Sequence, residues 1–386
     1  MPKKVKAKKK EEKEKAPPES TLASIQNNTH GSKYSPGSVF KGIHLIKCER
    51  IPFGVFSVDY ATGGGLPIYG STCLWGPKSG GKTNLAISAM TSVINYCFRC
   101  FNYKSLCSCS KKSISLTPMY IDVEGVLDKL WALNIGMDED NYYLGLGDYG
   151  EMHVNIAIDA LKATDCGLVI FDSLGQLVPE VELDAPMEDQ FYAVQARLIS
   201  RCVRKIKQVL IRERKDEHPV AMLFINQKRS VIGGGKYGPT EKMPGGNAME
   251  HEFSLLLRCI QTAMSSEKDA KYINKDTKLN SAAKFSIQIQ KFKVSVLSGV
   301  AEYIRLIQKA PDLKLKKGQV DDIATVLKLA KEHGIIQDRG SGKGWTYFDK
   351  KARVLKDIGN VWEKRPEEYL RTKVEIINRA KASLEE

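Results

Sequence analysis

The residues that most plainly predict chemistry form a glycine-rich loop with a lysine and a threonine at its end: Gly76-Pro77-Lys78-Ser79-Gly80-Gly81-Lys82-Thr83. An apolar run predicts a strand before the loop, and a helical period follows it. In this context the backbone N–H groups and the helix N-terminus face phosphate oxygens. Lys82 would reach the β and γ phosphates, and the Thr83 hydroxyl would ligate Mg²⁺. The pattern therefore predicts binding of ATP and Mg²⁺.

Three carboxylates follow two other apolar runs. Asp172 ends one run, and its predicted role is to organise the Mg²⁺ ion, although it could instead cap the next helix. Asp122 and Glu124 end another run and are candidates for orienting or deprotonating an attacking water, unless one of them is a solvated loop charge. Because parallel strands bring their carboxyl ends to one edge of a sheet, all three are expected beside the ligand.

Four of the nine cysteines fall within 13 residues: Cys97, Cys100, Cys107 and Cys109. Two close pairs of thiols suit tetrahedral Zn²⁺, although the single residue between Cys107 and Cys109 is shorter than the usual spacing. Structural zinc is the prediction, with redox-active or free thiols as the alternatives. The remaining five cysteines are expected to be small core residues.

Composition sets the broad class. The 386 residues are 42% hydrophobic, which excludes a wholly disordered chain. No apolar run approaches the length of a membrane-spanning helix, and the first residues have no apolar signal region, so a soluble intracellular protein without membrane association is expected. The net charge of +14 suggests a polyanionic partner, with a solvated surface as the plain alternative.

Apolar strands alternate with helical periods through most of the chain, which predicts an α/β fold with a mostly parallel sheet covered on both faces. The expected domains are a disordered basic arm (1–38), a core (39–310) with a cysteine-rich insert (96–115) and a small α+β domain (311–386). The predicted strands are Ser71–Trp75, Met119–Val123, Gly167–Phe171, Val220–Ile225, Phe253–Ile260, Phe285–Ile289 and Tyr303–Ile307. The predicted helices are Lys82–Tyr96, Met152–Lys162, Tyr192–Arg212, Ile323–Glu332 and Pro366–Leu384, with a hairpin at Gly334–Phe348.

Several motifs in order make the sequence resemble the RecA recombinase family, specifically its bacterial and phage branch. Besides the glycine-rich loop, they are Gly64-Gly65-Leu66-Pro67, Ile121-Asp122-Val123-Glu124, Phe171-Asp172-Ser173, Phe224-Ile225-Asn226-Gln227, Gly245-Gly246-Asn247-Ala248 and Lys291-Phe292-Lys293. The resemblance runs, with gaps, from about Ile51 to Leu384. It implies a RecA-type P-loop core and a DNA-dependent ATPase.

The resemblance also implies roles for individual residues around the nucleotide. Glu124 takes the position of the water-activating glutamate, and Gln227 that of a glutamine that senses the γ-phosphate. Asp128 and Trp131 fall where the family contacts and stacks on adenine. Lys291 and Lys293 match lysines that reach the nucleotide of the neighbouring subunit, which would place the ATP site between protomers.

DNA contacts in this family come from two loops. The first corresponds to Glu180–Tyr192, with Arg197 and Arg204 on one face of the helix that follows. The second is Lys228–Pro244, whose glycines, cations and apolar side chains suit single-stranded DNA. The candidate DNA-binding residues in and after this second loop are Arg229, Ile232, Lys236, Tyr237, Gly245, Gly246 and Asn247.

The predicted activity is formation of helical filaments on single-stranded DNA and promotion of homologous pairing and strand exchange with duplex DNA. A ring-forming DNA motor of the same superfamily, for branch migration or helicase action, is the alternative. An ATP-dependent regulatory protein on the same fold is a third reading. The expected location is the cytoplasm of a bacterial or phage-infected cell, with a nuclear-type compartment left open.

Two further features have plain explanations. The glycines of Gly145-Leu146-Gly147-Asp148-Tyr149-Gly150 match a dinucleotide fingerprint, but the sheet already carries a phosphate loop, so a separate site is not expected. His153, on an amphipathic period, is expected at the surface.

Overall fold

The computed structural model describes residues 49–109, 112–186, 191–215, 217–230, 241–244, 247–265, 269–273, 280–293, 296–309, 314–340, 343–348, 350–352 and 354–385. These all lie within the compact unit Cys48–Glu386. The predicted basic arm and the candidate DNA-binding residues Ile232, Lys236, Tyr237, Gly245 and Gly246 lie outside the described residues.

The strands, in chain order, are β1 Arg50–Ile51, β2 Leu66–Pro67, β3 Ser71–Gly76, β4 Tyr96–Cys97, β5 Asn102–Tyr103, β6 Thr117–Asp122, β7 Tyr143–Gly145, β8 Cys166–Asp172, β9 Ala221–Gln227, β10 Arg229–Ser230, β11 Glu241–Lys242, β12 Leu255–Thr262, β13 Ala282–Phe292, β14 Val300–Leu306, β15 Ile336–Asp338, β16 Trp345–Tyr347 and β17 Lys350–Ala352. The α-helices are α1 Phe56–Ala61, α2 Lys82–Ile94, α3 Lys129–Ile135, α4 Gly150–Lys162, α5 Glu180–Leu183, α6 Tyr192–Lys215, α7 Asn247–Glu250, α8 Ile323–Glu332, α9 Leu355–Lys364 and α10 Pro366–Glu385.

Eight strands form the central sheet, in the order β14-β13-β12-β3-β9-β8-β6-β7. The six strands from β12 to β7 are mutually parallel, and β13 and β14 add an antiparallel edge. The register places Gly76 beside Gln227, Ile225 beside Asp172, and Asp172 beside Asp122. The carboxyl ends of β3, β9, β8 and β6 therefore meet at one edge of the sheet, where ligands bind in open α/β folds.

Apolar side chains cover both faces of the sheet. One face carries α2, with Leu85, Ile87 and Met90 packed on side chains such as Leu223. The other face carries α4 and α6, with Leu161 and Ile206 among its members. Strands such as β8 are buried along their whole length, because helices lie on both sides. The strands that carry the predicted site residues are therefore covered by helices on both faces of the sheet.

The C-terminal residues form a small α+β structure. Helices α8, α9 and α10 pack with the antiparallel sheet β15-β16-β17 around Trp362, Tyr347 and Ile376. Phe56 of α1 joins this cluster, so the core chain contributes to it directly. The predicted α/β class with a mostly parallel sheet and a small α+β C-terminal region is confirmed. The domain boundaries remain a prediction.

Several expectations are corrected. Helix α9 was not predicted, although it buries Ile358 and Trp362 one turn apart. His153 is buried, not at the surface: its Nε2 accepts the Gly147 N–H at 3.1 Å, and its Nδ1 lies 2.9 Å from the Tyr149 carbonyl oxygen. That ring occupies the glycine loop that resembled a dinucleotide fingerprint. Among the described residues, no helix is both long and apolar enough to cross a lipid bilayer.

Candidate nucleotide-binding site

The glycine-rich loop lies tightly against the neighbouring strands. A Cβ on Gly76 or Gly80 would come within 2.3 Å or 2.6 Å of the Cys259 carbonyl oxygen on β12. Gly81 has a φ of +82°, and a Cβ there would meet the Phe285 ring of β13 at 2.6 Å. Because backbone and ring leave no room for a side chain, only glycine gives the loop this curl. The three glycines of the sequence pattern are thus explained by packing.

Helix α2 begins directly after this loop. No side chain caps its N-terminus, and Gly81 is its N-cap residue. Uncapped N–H groups at a helix N-terminus are a ready site for an anion. Lys82 is buried, and its Nζ donates to the carbonyl oxygens of Gly76 at 3.2 Å and Pro77 at 2.7 Å. Burial lowers the pKa of this lysine, while nearby Asp172 and Glu124 oppose the shift.

Thr83 and Asp172 lie together, as expected for Mg²⁺ ligands. The Thr83 hydroxyl donates to Asp172 Oδ2 at 2.9 Å, and the Tyr120 hydroxyl donates to the same oxygen at 2.6 Å. Burial raises the pKa of Asp172 to about 6, against the opposing hydrogen bonds from Tyr120 and Thr83. A hydroxyl beside a buried carboxylate is a donor set that suits Mg²⁺. Tyr120 was missed by the sequence reasoning, since a tyrosine within an apolar strand gives no signal of its own.

The two carboxylates after β6 have different surroundings. Asp122 accepts the N–H groups of Gly125 at 2.8 Å and Leu127 at 2.9 Å, so it shapes the loop that follows the strand. Glu124 instead accepts the Ser173 hydroxyl and the Gln227 side-chain amide, both at 2.7 Å on Oε1. Of the two candidates, Glu124 is the one that contacts Gln227, and the role of either in orienting a water stays a prediction.

Gln227 joins this carboxylate to the segment that follows β9. Its side chain contacts Glu124, and the next residue, Lys228, donates its backbone N–H to Gly76 at 3.2 Å. Beyond it, β10 and β11 pair as an antiparallel ribbon that brings Arg229 opposite Lys242. The predicted DNA-binding loop therefore begins and ends in the β10–β11 ribbon. This ribbon follows β9 at the edge of the sheet where the carboxyl ends of the parallel strands meet.

Asn226 belongs to the Phe224–Gln227 motif but had no predicted role of its own, and it is fully buried at the base of this ribbon. Its Nδ2 donates to the Pro244 carbonyl at 3.2 Å, and its Oδ1 accepts the Gln227 N–H at 3.0 Å. One side chain thus connects the strand end to the far end of the loop. For Arg229 and Asn247 the structure describes only the backbone, in β10 and at the start of α7.

Asp128 and Trp131 lie together at the start of α3. The Asp128 carboxylate caps the helix by accepting the Trp131 N–H at 3.0 Å. The indole N–H of Trp131 donates to Asn84 Oδ1 at 2.6 Å, and Lys317 Nζ lies 5.6 Å from the ring centroid. Asn84 is on α2, one residue after Thr83, so the tryptophan is held close to the phosphate loop. A role in contacting adenine stays a prediction.

Lys291 and Lys293 are not near the phosphate loop of their own chain. Their ammonium groups donate to the carbonyl oxygens of Glu250 and His251, each at 2.6 Å. On the same strand β13, Phe285 lies against Gly81. The six residues from Phe285 to Lys291 span about 20 Å of extended chain. A lysine side chain cannot bridge that distance, so these two lysines cannot serve the nucleotide site of their own chain.

Helix α6 presents a basic face. Arg197 and Arg204 are exposed, and Arg201 is exposed between them. Residues spaced by four and three lie on one side of a helix, so the three guanidinium groups form a stripe. The sequence reasoning named only the outer two.

The four clustered cysteines also come together, with all four sulfur atoms within 4.8 Å of one another.

Comparison with known proteins adds a family relationship. Residues 24–301 match the family model of the RecA N-terminal domain. Protein RecA of Aquifex pyrophilus is 33% identical over 235 residues, which is 60% of this chain and 59% of that protein, less than two thirds of its length. Protein RecA of Campylobacter hominis is 29% identical over 319 residues, covering 82% of this chain and 79% of the relative. Protein RecA of Trichodesmium erythraeum is 28% identical over 296 residues, covering 77% and 71%.

Proposed function

Since the chain belongs to the RecA family, we propose that it is an ATP-dependent DNA recombinase of the bacterial and phage type. It binds ATP, assembles as a helical filament on single-stranded DNA, and promotes homologous pairing and strand exchange with duplex DNA. The observation that carries this proposal is the contact between Glu124 and Gln227, which connects the phosphate-binding edge to the base of the DNA-binding loop.

The triphosphate lies in the curl from Gly76 to Gly81, where backbone N–H groups and the α2 N-terminus hold its oxygens. Lys82 adds a positive charge that stabilises the charge building up on the transferred phosphoryl group. When bound, Mg²⁺ withdraws charge from the phosphate oxygens, and Thr83 with Asp172 is the pair suited to hold it. Asp128 and Trp131 contact the adenine.

Hydrolysis requires a base, and Ser173 and Gln227 both donate to Oε1 of Glu124, which leaves Oε2 as the oxygen that faces the water in this proposal. That oxygen accepts the proton of the attacking water. Gln227 donates to the other oxygen of the same carboxylate. A change at the γ-phosphate that shifts Glu124 therefore also shifts the Gln227 amide. The ribbon β10–β11 begins two residues later, so the movement reaches the DNA-binding loop.

The position of Lys291 and Lys293 supports a nucleotide site completed by a second copy of the chain. Lys291, near the end of β13, and Lys293, directly after the strand, both lie far from the phosphate loop that Phe285 contacts. A second copy that brings this end of its sheet to the first copy's loop supplies two cations to the triphosphate. A contact of this head-to-tail kind builds an open helix when the rotation does not close.

Single-stranded DNA lies along the loop 228–244 and the arginine stripe of α6. The stripe supplies cations for phosphates, and the loop supplies the apolar side chains Ile232 and Tyr237 for contact with bases. Arg229, Lys236, Gly245, Gly246 and Asn247 complete the proposed surface. Since phosphate contacts dominate, the affinity for DNA falls as the salt concentration rises.

A strand-exchange assay with circular single-stranded DNA and homologous linear duplex tests this function. We expect joint molecules with ATP, none without nucleotide, and none with a non-homologous duplex. Electron microscopy of the same mixture is expected to show open helical filaments. Closed rings that unwind or migrate branched DNA, with no joint molecules formed, would contradict the proposal and indicate a motor.

A further inference from the structure

The insert between α2 and β6 carries the four clustered cysteines. Cys97 ends β4 and Cys100 lies in the turn that leads into β5, with Tyr96 paired to Tyr103 across the two strands. Phe101, directly after Cys100, has a φ of +51°, so the chain reverses sharply here. The second pair, Cys107 and Cys109, follows a single turn of 3₁₀ helix at Lys104–Leu106. Two separate turns therefore present two sulfurs each to one point.

The spacing of these sulfurs fits a tetrahedral metal site. Zn–S bonds of 2.3 Å place the sulfurs of a tetrahedron about 3.8 Å apart. Here all four sulfurs lie within 4.8 Å of one another, and Cys100 Sγ lies 3.4 Å from Cys107 Sγ. None of the described cysteines is in a disulfide. Sulfur donors in this geometry favour zinc or iron over magnesium or calcium.

The surroundings of the cluster suit thiolates. The backbone N–H groups of Cys100, Arg99 and Ile114 are directed at the Cys97 sulfur. The Cys109 N–H points at Cys107 Sγ at 3.3 Å. Such N–H donors are the outer contacts that orient metal-binding sulfurs. The exposed cations Arg99, Lys104 and Lys112 offset the excess negative charge of four thiolates around a divalent ion.

Each of the two cysteine-bearing turns lies next to a segment that contacts the rest of the protein. Phe98, next to Cys97, is buried in the core and lies where a Cβ on Gly167 of β8 would meet it at 2.9 Å. The Tyr96 hydroxyl donates to the Phe101 carbonyl at 2.6 Å. The 3₁₀ turn at Lys104–Leu106 contacts helix α10. A crosslink between the two turns therefore connects the core sheet to the C-terminal helix.

We propose that Cys97, Cys100, Cys107 and Cys109 bind one Zn²⁺ ion and that this ion holds the insert against α10. The metal closes a loop of 13 residues in which strands β4 and β5 pair over only two residues each. The free energy of metal binding therefore stabilises the folded insert. The site is separate from the nucleotide edge, because the 13 residues of α2 place about 20 Å between them. The ion is structural, since all four positions of the tetrahedron are filled by protein.

Metal content of the full-length protein tests the site. We expect one zinc per chain by plasma mass spectrometry after purification in reducing, metal-free buffer. Cys100→Ser removes an exposed ligand without opening the core, and the variant is expected to retain less than about a tenth of the zinc. The matched control is Cys166→Ser, which makes the same substitution at a free cysteine outside the cluster. It is expected to keep one zinc.

Two measurements on the unaltered chain support this test. A mercurial reagent that blocks thiols is expected to release the zinc, followed with a metal indicator dye. Cobalt(II) added to metal-stripped protein is expected to give a thiolate charge-transfer band. Hydrogen exchange should speed up on zinc removal in residues 96–109 and in α10, but not in β3 or β8. Iron in place of zinc, equal zinc in Cys100→Ser and the unaltered chain, or no metal and no cobalt band would each overturn the proposal.

Discussion

The Lys82→Ala variant is expected to lose ATP hydrolysis by at least about 100-fold, with or without single-stranded DNA. Lys82 follows the curl of three glycines at the start of α2, and its ammonium group already lies beside the loop carbonyls. The other lysine of the loop, Lys78, is exposed. Removing Lys82 thus removes the buried cation of the site.

The measurement is steady-state phosphate release at saturating DNA. Lys162→Ala is a suitable control, because it removes an exposed lysine at the end of α4 that pairs with Asp159, three residues earlier on the same helix. The control should turn over ATP like the unaltered chain. Thermal unfolding of both variants shows whether the fold is retained, and a folded Lys82→Ala protein with undiminished turnover would refute the site.

The second large effect is expected for Glu124→Gln. The substitution keeps an oxygen that can accept the Ser173 hydroxyl and the Gln227 amide, but it removes the carboxylate that we propose takes a proton from water. Loss of a general base costs about 10² to 10⁴ in rate. ATP and DNA binding should persist, so filaments on single-stranded DNA should form and then disassemble more slowly than those of the unaltered chain.

Single-turnover kinetics measures the expected loss of the hydrolysis rate. DNA-release kinetics measures the expected slower disassembly of the filaments. Asp122→Asn is a useful comparison, because Asp122 shapes the loop through Gly125 and Leu127, whereas Gln227 donates to Glu124. Its defect should appear in nucleotide binding and not only in the hydrolysis step. If Glu124→Gln hydrolyses ATP at the original rate, another residue is the base.

Much of the fold and the site could be predicted because local patterns decide them. Helix α8 begins and ends at the predicted residues, and the strands that carry the site were located within a few residues, since buried parallel strands are continuous apolar runs. The glycine pattern of the phosphate loop can be recognised in the sequence for a physical reason. The Cys259 backbone and the Phe285 ring lie so close to the loop that only glycine fits at these positions.

What could not be predicted depends on contacts distant in sequence. Tyr120 reaches Asp172 across 52 residues, and Gln227 reaches Glu124 across 103 residues, so no local pattern reports either pair. The different partners of Asp122 and Glu124 likewise depend on hydrogen bonds that the sequence does not display. His153 was misplaced because helical periodicity shows which side of α4 is apolar but not that a polar ring closes the glycine loop beside it.

Mixing two inactive variants tests the central claim, a nucleotide site shared between copies of the chain. Lys82→Ala keeps Lys291 and Lys293, whereas the double variant Lys291→Ala/Lys293→Ala keeps the phosphate loop. In a filament assembled at random from equal amounts, about one quarter of the interfaces combine an intact loop with intact lysines. DNA-stimulated ATP hydrolysis absent from each variant alone is therefore predicted to return in the mixture, whereas a mixture as inactive as its components would contradict a shared site.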